Sequence, residues 1–462
     1  GLPKRYEVFI FFTIQDVAGF KKALSQVIPL ITTTAQIQRF RSEIAHHKRN
    51  KGEGLLKFAG TNIGFSQTGL TKLGITDSLG DPAFTAGQLA SAKALGDDGT
   101  TDASNNFTPN WLPEFKGDTH GIILIGGDSF ASVNEAADKV EYILGGTIKA
   151  ILKVQANARP GKEKGHEHFG YLDGISFPAI PALTGQLPGQ QVVQPGVLVC
   201  GEDGDVDTTT KQPVVRPSWA VNGSFLVYRH LNQLVPEFNE FVRDNALNTT
   251  GTMTQEQGAE LLGARFFGRW KSGAPIDIAP TQDNPVLAAD PKRNNNFNFS
   301  GQDVLDQTRC PFSAHIRKTN PRNDLAQYVF GPTAVSQHMI NRQSIAFGPE
   351  VTPQEAQTGK TIETRGLSFV CYQSNLANGF EFVQKAWADT TTFPPKTING
   401  AQFDPGFDPI IGQANGAPRQ VAGMDPNNQS KNLTLPSHFV ASKGGQYFFS
   451  PSITALKTKF AA

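Results

Sequence analysis

The stretch Val8-Phe9-Ile10-Phe11-Phe12, followed by Asp16 and then by Val17, Phe20, Leu24 and Val27, decides how this chain is read. Five consecutive apolar residues have the length of a buried strand, and apolar residues three and four apart mark one face of a helix. Asp16 stands where a side-chain oxygen can cap the free backbone N–H groups of that helix. The unit recurs three times. Ile122-Ile123-Leu124-Ile125 leads through Gly126-Gly127-Asp128 to Val133, Ala137, Val140 and Leu144. Phe225-Leu226-Val227-Tyr228 leads to Pro236, a residue suited to a first helical turn, with Phe238, Phe241 and Val242 after it. Leu367-Ser368-Phe369-Val370 precedes Phe380, Val383 and Trp387.

Two of these units lie before residue 205 and two after it. The stretch 185–217, rich in Gly, Gln, Asp, Thr and Pro, reads as a linker or surface loop. The expected fold is an α+β duplication, with one half over residues 1–205 and the other over 206–462, each an antiparallel sheet covered by helices. A doubly wound parallel sheet would need tighter alternation than the long intervening segments allow. A further helix is expected over 254–270, and the loops at 272–300 and 391–436 are long enough to shape a binding site.

Composition narrows the function. The 462 residues carry 42 Lys plus Arg against 41 Asp plus Glu, a net charge of +1, so neither a nucleic-acid nor a membrane partner is expected. Apolar runs are strand-sized, well short of the roughly 18 residues of a transmembrane helix. Cys200, Cys310 and Cys371 form no CxxC pair and too small a set for a disulfide framework. N-x-S/T sequons at Asn106, Asn222, Asn248, Asn298, Asn428 and Asn432 point to a secreted, extracellular glycoprotein. The sequence opens at Gly1 without an initiator Met, as a processed or a trimmed N-terminus would.

Walker A, GxSxG, HExxH and strand-linked GxGxxG patterns are missing from the sequence. Three segments stand out instead. In Gly170-Tyr171-Leu172-Asp173-Gly174-Ile175-Ser176-Phe177, Asp173-Gly174 is a tight turn, or a carboxylate tuned for proton transfer by its apolar frame. In the run from Arg309 to Arg322, His315 is either a core histidine or a metal ligand. The cations Arg317, Lys318 and Arg322 follow it, as an anionic metal cofactor such as haem would require. In Met339-Ile340-Asn341-Arg342-Gln343-Ser344-Ile345-Ala346-Phe347-Gly348, Arg342 ends an element at the surface or is a buried, partnered guanidinium.

These segments resemble the dye-decolourising peroxidases of the secreted fungal type over most of the chain. The resemblance rests on four motifs in order: GxxDG at Gly170, Asp173 and Gly174; Gly268-Arg269-Trp270-Lys271-Ser272-Gly273; the His-Ile-Arg-Lys-Thr-Asn-Pro-Arg run from His315; and Arg-x-Ser-Ile-x-Phe-Gly from Arg342. It implies two ferredoxin-like halves with haem b between them. It implies His315 as the axial ligand of haem iron, oriented by Asp408 with Asp404 as the rival, and Arg317 on a haem propionate. On the open face it implies Asp173 moving a proton between the oxygens of hydrogen peroxide, while Arg342 stabilises the charge that develops as the O–O bond breaks. The product would be an iron(IV)-oxo porphyrin radical, returned to rest by two one-electron steps from bulky dyes, phenols or other aromatic compounds.

By the same resemblance Ser344 orders water in the pocket, and Phe177 and Phe347 make its apolar wall. Some relatives carry Tyr at the place of Phe347, so a surface electron relay would here fall to Trp387, Tyr328 or Tyr372. Trp387 shares its helical stripe with Phe380 and Val383, which suits core packing equally well. The expected assembly is a monomer or weak dimer. The alternative readings are a haem-binding or storage protein with incidental peroxidase activity, and a secreted ligand-binding glycoprotein without haem.

Overall fold

The computed structural model describes residues 2–172, 174–181, 184–207, 210–325, 335–398 and 400–462, and omits the side chains of 302 and 303. Asp173 and Tyr328 therefore lie outside the described residues. The first unit is as read: β1 (Tyr6–Ile14) enters α1 (Val17–Val27), whose Gly19 amide donates to the Asp16 side chain at 3.1 Å. β2 (Ala59–Phe65) and β3 (Gly121–Gly127) follow, then α2 (Phe130–Leu144) and β4 (Ile148–Asn157). The second half repeats the plan. β5 (Ser224–Gln233) enters α3 (Val235–Asp244); α4 (Gln255–Phe267) and the short α5 (His315–Thr319) intervene; then come β6 (Asn341–Arg342), β7 (Ile345–Phe347), β8 (Gly366–Gln373) and β9 (Val440–Ser450).

All pairings in the main sheet are antiparallel, and its order is β4-β1-β3-β2-β9-β5-β8, with β6 and β7 both on the far edge of β8. Each half thus has the ferredoxin-like order in which the fourth strand lies outside the first. The halves join where Phe65 of β2 faces Phe449 of β9. The sheet ends β4 and β7 meet, and Arg159, just past β4, clamps Glu350, just past β7, with Nε 2.9 Å from Oε1.

Alternation along β1 explains why its apolar run is unbroken. Val8, Ile10 and Phe12 face α1 and α2, where Phe20, Leu24, Val133 and Val140 pack on them. Phe9 and Phe11 face the other way, into a cluster with Ile122, Leu124, Leu226, Tyr228 and Phe448 inside the curled sheet. With both faces covered, neither set of positions tolerates polar residues. The helix expected over 254–270 runs over Gln255–Phe267: Thr254 caps it through a capping box with Gln257, and Gly268, at φ 84°, ends it in the left-handed conformation.

Candidate active site

The outer face of the second half is not covered as the first is. Arg229, Leu231 and Gln233 of β5 and Leu367 and Phe369 of β8 line a cavity of about 1710 Å³, counting the space at its mouth. His315 and Ile316 of α5 form the opposing wall with Ile410 and Ile411. Tyr171, Leu172, Ile175 and Ser176, on both sides of position 173, close a third side.

His315 opens α5, and its setting is built from buried groups. Its Nδ1 lies 2.8 Å from Asp408 Oδ2. The carboxylate accepts, so Nδ1 carries the hydrogen and Nε2 keeps its lone pair. Asp408 is fully buried, and its Oδ1 also accepts from the Ile410 and Ile411 amides at 2.8 and 3.0 Å. Burial would raise the Asp408 carboxyl; His315 and these two amides outweigh it and hold the pKa below the ordinary value. Asp404 is exposed and accepts from Gln402 instead, so the structure selects Asp408. Lys318 anchors the other side of α5 through the Thr390 carbonyl at 2.8 Å and the Gly406 carbonyl, its pKa pushed down by burial to about 7.

Arg342 lines the cavity, half-buried, with its guanidinium 5.8 Å from the centre of the Phe177 ring. The segment Phe169–Tyr171, just before position 173 in sequence, is held by Glu167, whose carboxylate accepts from the Phe169 and Tyr171 amides at 2.8 and 2.9 Å and from the Gln233 side chain.

Other expectations need correction. Arg317 does not reach the cavity. It stands two residues after His315, about 200° round a helix, and is fully buried on the far side. There it pairs with both Asp324 oxygens at 2.6 and 2.8 Å and lies over the Phe312 ring. Phe347 faces the interior of the curled sheet, stacked on His230 at 4.2 Å, because it pairs with Gly366 and so lies on the opposite face from Leu367 and Phe369. Ser344 spends its hydroxyl oxygen on the Val370 amide at 3.2 Å. Phe177 does not line the cavity among the described residues and meets it through Arg342. Trp387, 2% exposed and stacked on Phe393, is a core residue. Tyr372 turns away from the cavity and accepts from Asn62 at 3.3 Å.

The cavity brings together one arginine from each of three motifs and a fourth, Arg229, that no motif revealed. Arg229, Arg269, Arg322 and Arg342 line it against a single carboxylate, Glu167, among the described residues. Asn295 Oδ1 accepts from Arg269 Nη2 at 3.1 Å and from Arg322 Nη2 at 2.6 Å. Arg229 is the most distinctive. Its Nη2 pairs with Asp97, which also accepts from Trp111 Nε1 at 3.0 Å, while its Nη1 is buried with no hydrogen-bond partner among the described residues. A cation interrupting the apolar run of β5 was the available signal.

Comparison with known proteins agrees with this geometry. Residues 1–160 match the family described as the DyP dimeric alpha+beta barrel domain, and residues 203–394 match the Dyp-type peroxidase C-terminal family. The chain is similar to dye-decolorizing peroxidase msp1 of Mycetinis scorodonius, 45% identical over 99% of this chain and 85% of the relative. An ancestral D-type dye-decolorizing peroxidase superposes with a TM-score of 0.93 at 54% identity, over 100% of this chain and 97% of that one. A dye-decolorizing peroxidase in complex with 2,6-dimethoxyphenol superposes with a TM-score of 0.86 at 46% identity, over the same shares. A cavity walled by a carboxylate-oriented histidine and an excess of arginines, on this fold and with these relatives, establishes that the chain belongs to the dye-decolorizing peroxidase family and is a peroxidase.

Proposed function

We propose that the cavity would hold haem b, that His315 Nε2 would bind its iron, and that the group would supply the redox chemistry by which hydrogen peroxide drives one-electron oxidation of phenols and aromatic dyes. The observation that carries this reading is the His315–Asp408 pair in the cavity wall. An imidazole whose Nδ1–H is committed to a buried carboxylate is fixed in the tautomer and ring orientation that ligate metal through Nε2. The donor set fits the rest of the group. Leu231, Leu367, Phe369 and Ile410 suit an apolar ring, and the arginine excess suits its carboxylates. The Nη1 of Arg229, unpartnered among the described residues, is the group that a propionate would satisfy, in place of the Arg317 of the sequence reading. Bound haem supplies reversible one-electron redox chemistry at the place where peroxide is reduced.

The chain's own work is the handling of protons and charge. Asp173, which follows the segment held by Glu167 in sequence, takes a proton from one peroxide oxygen and delivers it to the other. Arg342 presents its fixed positive charge to the oxygen on which negative charge develops, in a cavity where low polarisability strengthens that interaction. Apolar walls limit water around Arg342. We also assign the enzyme to the extracellular space as a glycoprotein, because all six sequon asparagines are exposed.

The test is spectroscopic and kinetic. Purified, haem-loaded enzyme is expected to show a Soret band that shifts on one equivalent of peroxide and returns with a reducing dye. His315→Ala should lose the band. Asp173→Asn and Arg342→Leu should keep it and lower peroxide turnover by about 10²–10⁴-fold. Turnover unchanged in both distal variants would overturn the mechanism.

A further inference from the structure

The cavity wall contains one more titratable group, His338, that these steps do not use. The residue is 9% exposed, and its ring lies flat on Phe382, with centroids 3.6 Å apart and 3° between planes; Trp387 meets it edge-on at 5.3 Å. Its Nδ1 lies 2.6 Å from the Asn378 carbonyl oxygen. A carbonyl only accepts, so Nδ1 bears the hydrogen and Nε2 is left with a lone pair. Among the described residues nothing hydrogen-bonds to Nε2. Burial, helped by Lys211 and opposed by the Asn378 carbonyl, lowers the ring's pKa, which keeps it neutral. His338 is thus a base with its tautomer, charge and ring plane set in advance.

We propose that His338 accepts the hydroxyl proton of phenolic substrates as they are oxidised in this cavity, a role that rests on the peroxidase reading above. The phenol gives one electron to the oxidised cofactor and its proton to Nε2. The O–H bond breaks and an N–H bond forms, so an aryloxyl radical leaves and an imidazolium remains, which returns its proton to water. Without an acceptor the phenol would have to become a radical cation, and an extra unpaired charge in an apolar cavity is costly. A donor that loses an electron and no proton gains nothing from His338. The residue therefore sets which reductants the enzyme favours.

The experiment compares 2,6-dimethoxyphenol with ferrocyanide, which is oxidised without losing a proton, using haem-loaded wild type, His338→Gln and His338→Phe. In both variants kcat/KM for the phenol is expected to fall about 100-fold, the size of a general-base contribution, with the Soret band and ferrocyanide turnover unchanged. Wild-type phenol oxidation should slow in D₂O while ferrocyanide oxidation does not. Parallel losses on both donors, or phenol turnover that survives in the variants, would overturn the proposal. Should the variants fail to fold, a wild type without a solvent isotope effect on the phenol would do the same. A wild type inactive with both donors would instead sink the peroxidase reading itself.

Discussion

The two halves of the sheet share one strand order and differ in what covers the outer face. In the first half α1 and α2 lie directly on the strands, and Phe12, Ile123 and Ile125 meet Phe20, Leu24 and Val140. In the second half the equivalent face carries Arg229, Leu231 and Gln233 on β5, and the covering elements stand off it far enough to leave the cavity. The segment after β8 is a single helical turn, Phe380–Phe382, running into a π-helical stretch, Val383–Ala388, rather than a long regular helix. A duplicated fold thus keeps one copy as a packed support and opens the other. The packed half gives up no apolar contact, and the open half gives up helix-on-sheet packing for a site.

Three tests bear on that contrast. The largest effect is expected in the packed half: Phe12→Ala should cost about 3–5 kcal/mol in denaturant unfolding, through lost transfer energy and a cavity that cannot collapse. Leu231→Ala, on a wall already open on one side, should cost clearly less and should weaken haem retention. Equal costs would break the comparison.

The next effect is a pH dependence at the seam where the sheet ends meet. His168, buried, donates from Nε2 to the Phe347 carbonyl at 2.8 Å, and burial pushes its pKa down to about 4. The unfolded ring takes up its proton near 6.5 and the folded ring only near 4, so the unfolded state binds more protons between these values. The neutral ring's contribution is present in full above about pH 6.5 and is lost as pH falls towards 4, by about 3 kcal/mol at full extent. Unfolding free energies measured across this window should show the loss, and His168→Gln should flatten it.

The smallest effect concerns the open half alone. Asp408→Asn keeps the shape and removes the charge behind His315, so haem transfer to an apo-acceptor should become about 10–100-fold more favourable. Stability of the haem-free protein should change less than in Phe12→Ala. A variant that holds haem as tightly as wild type would remove Asp408 from the site.

Much of the fold was legible because its signals are local. The unbroken run from Val8 to Phe12, the cap at Asp16 and the helix expected from Thr254 each concern residues within a few positions of one another. β2 was missed because Ala-Gly-Thr-Asn-Ile-Gly-Phe carries two glycines and two polar residues; pairing with β3 and β9, not local preference, makes it a strand. β4 and β9 were missed for a related reason, since an outer strand and a closing strand are recognised by their partners.

The site divides in the same way. Sequence by itself determined the first three strand-to-helix units and, through the motifs that carry its resemblance, His315 and two rival carboxylates, Asp408 and Asp404, of which only the structure placed one against the histidine. Sequence did not determine direction. Arg317 and His315 are two positions apart and point to opposite sides of a helix, and Phe347 lies on the wrong face of a strand by the period of two. Only the tertiary structure brought Arg229, His338 and the Glu167-held loop to one cavity. Each comes from a different element, and the angle at which an element meets its neighbours is fixed by packing over the whole molecule.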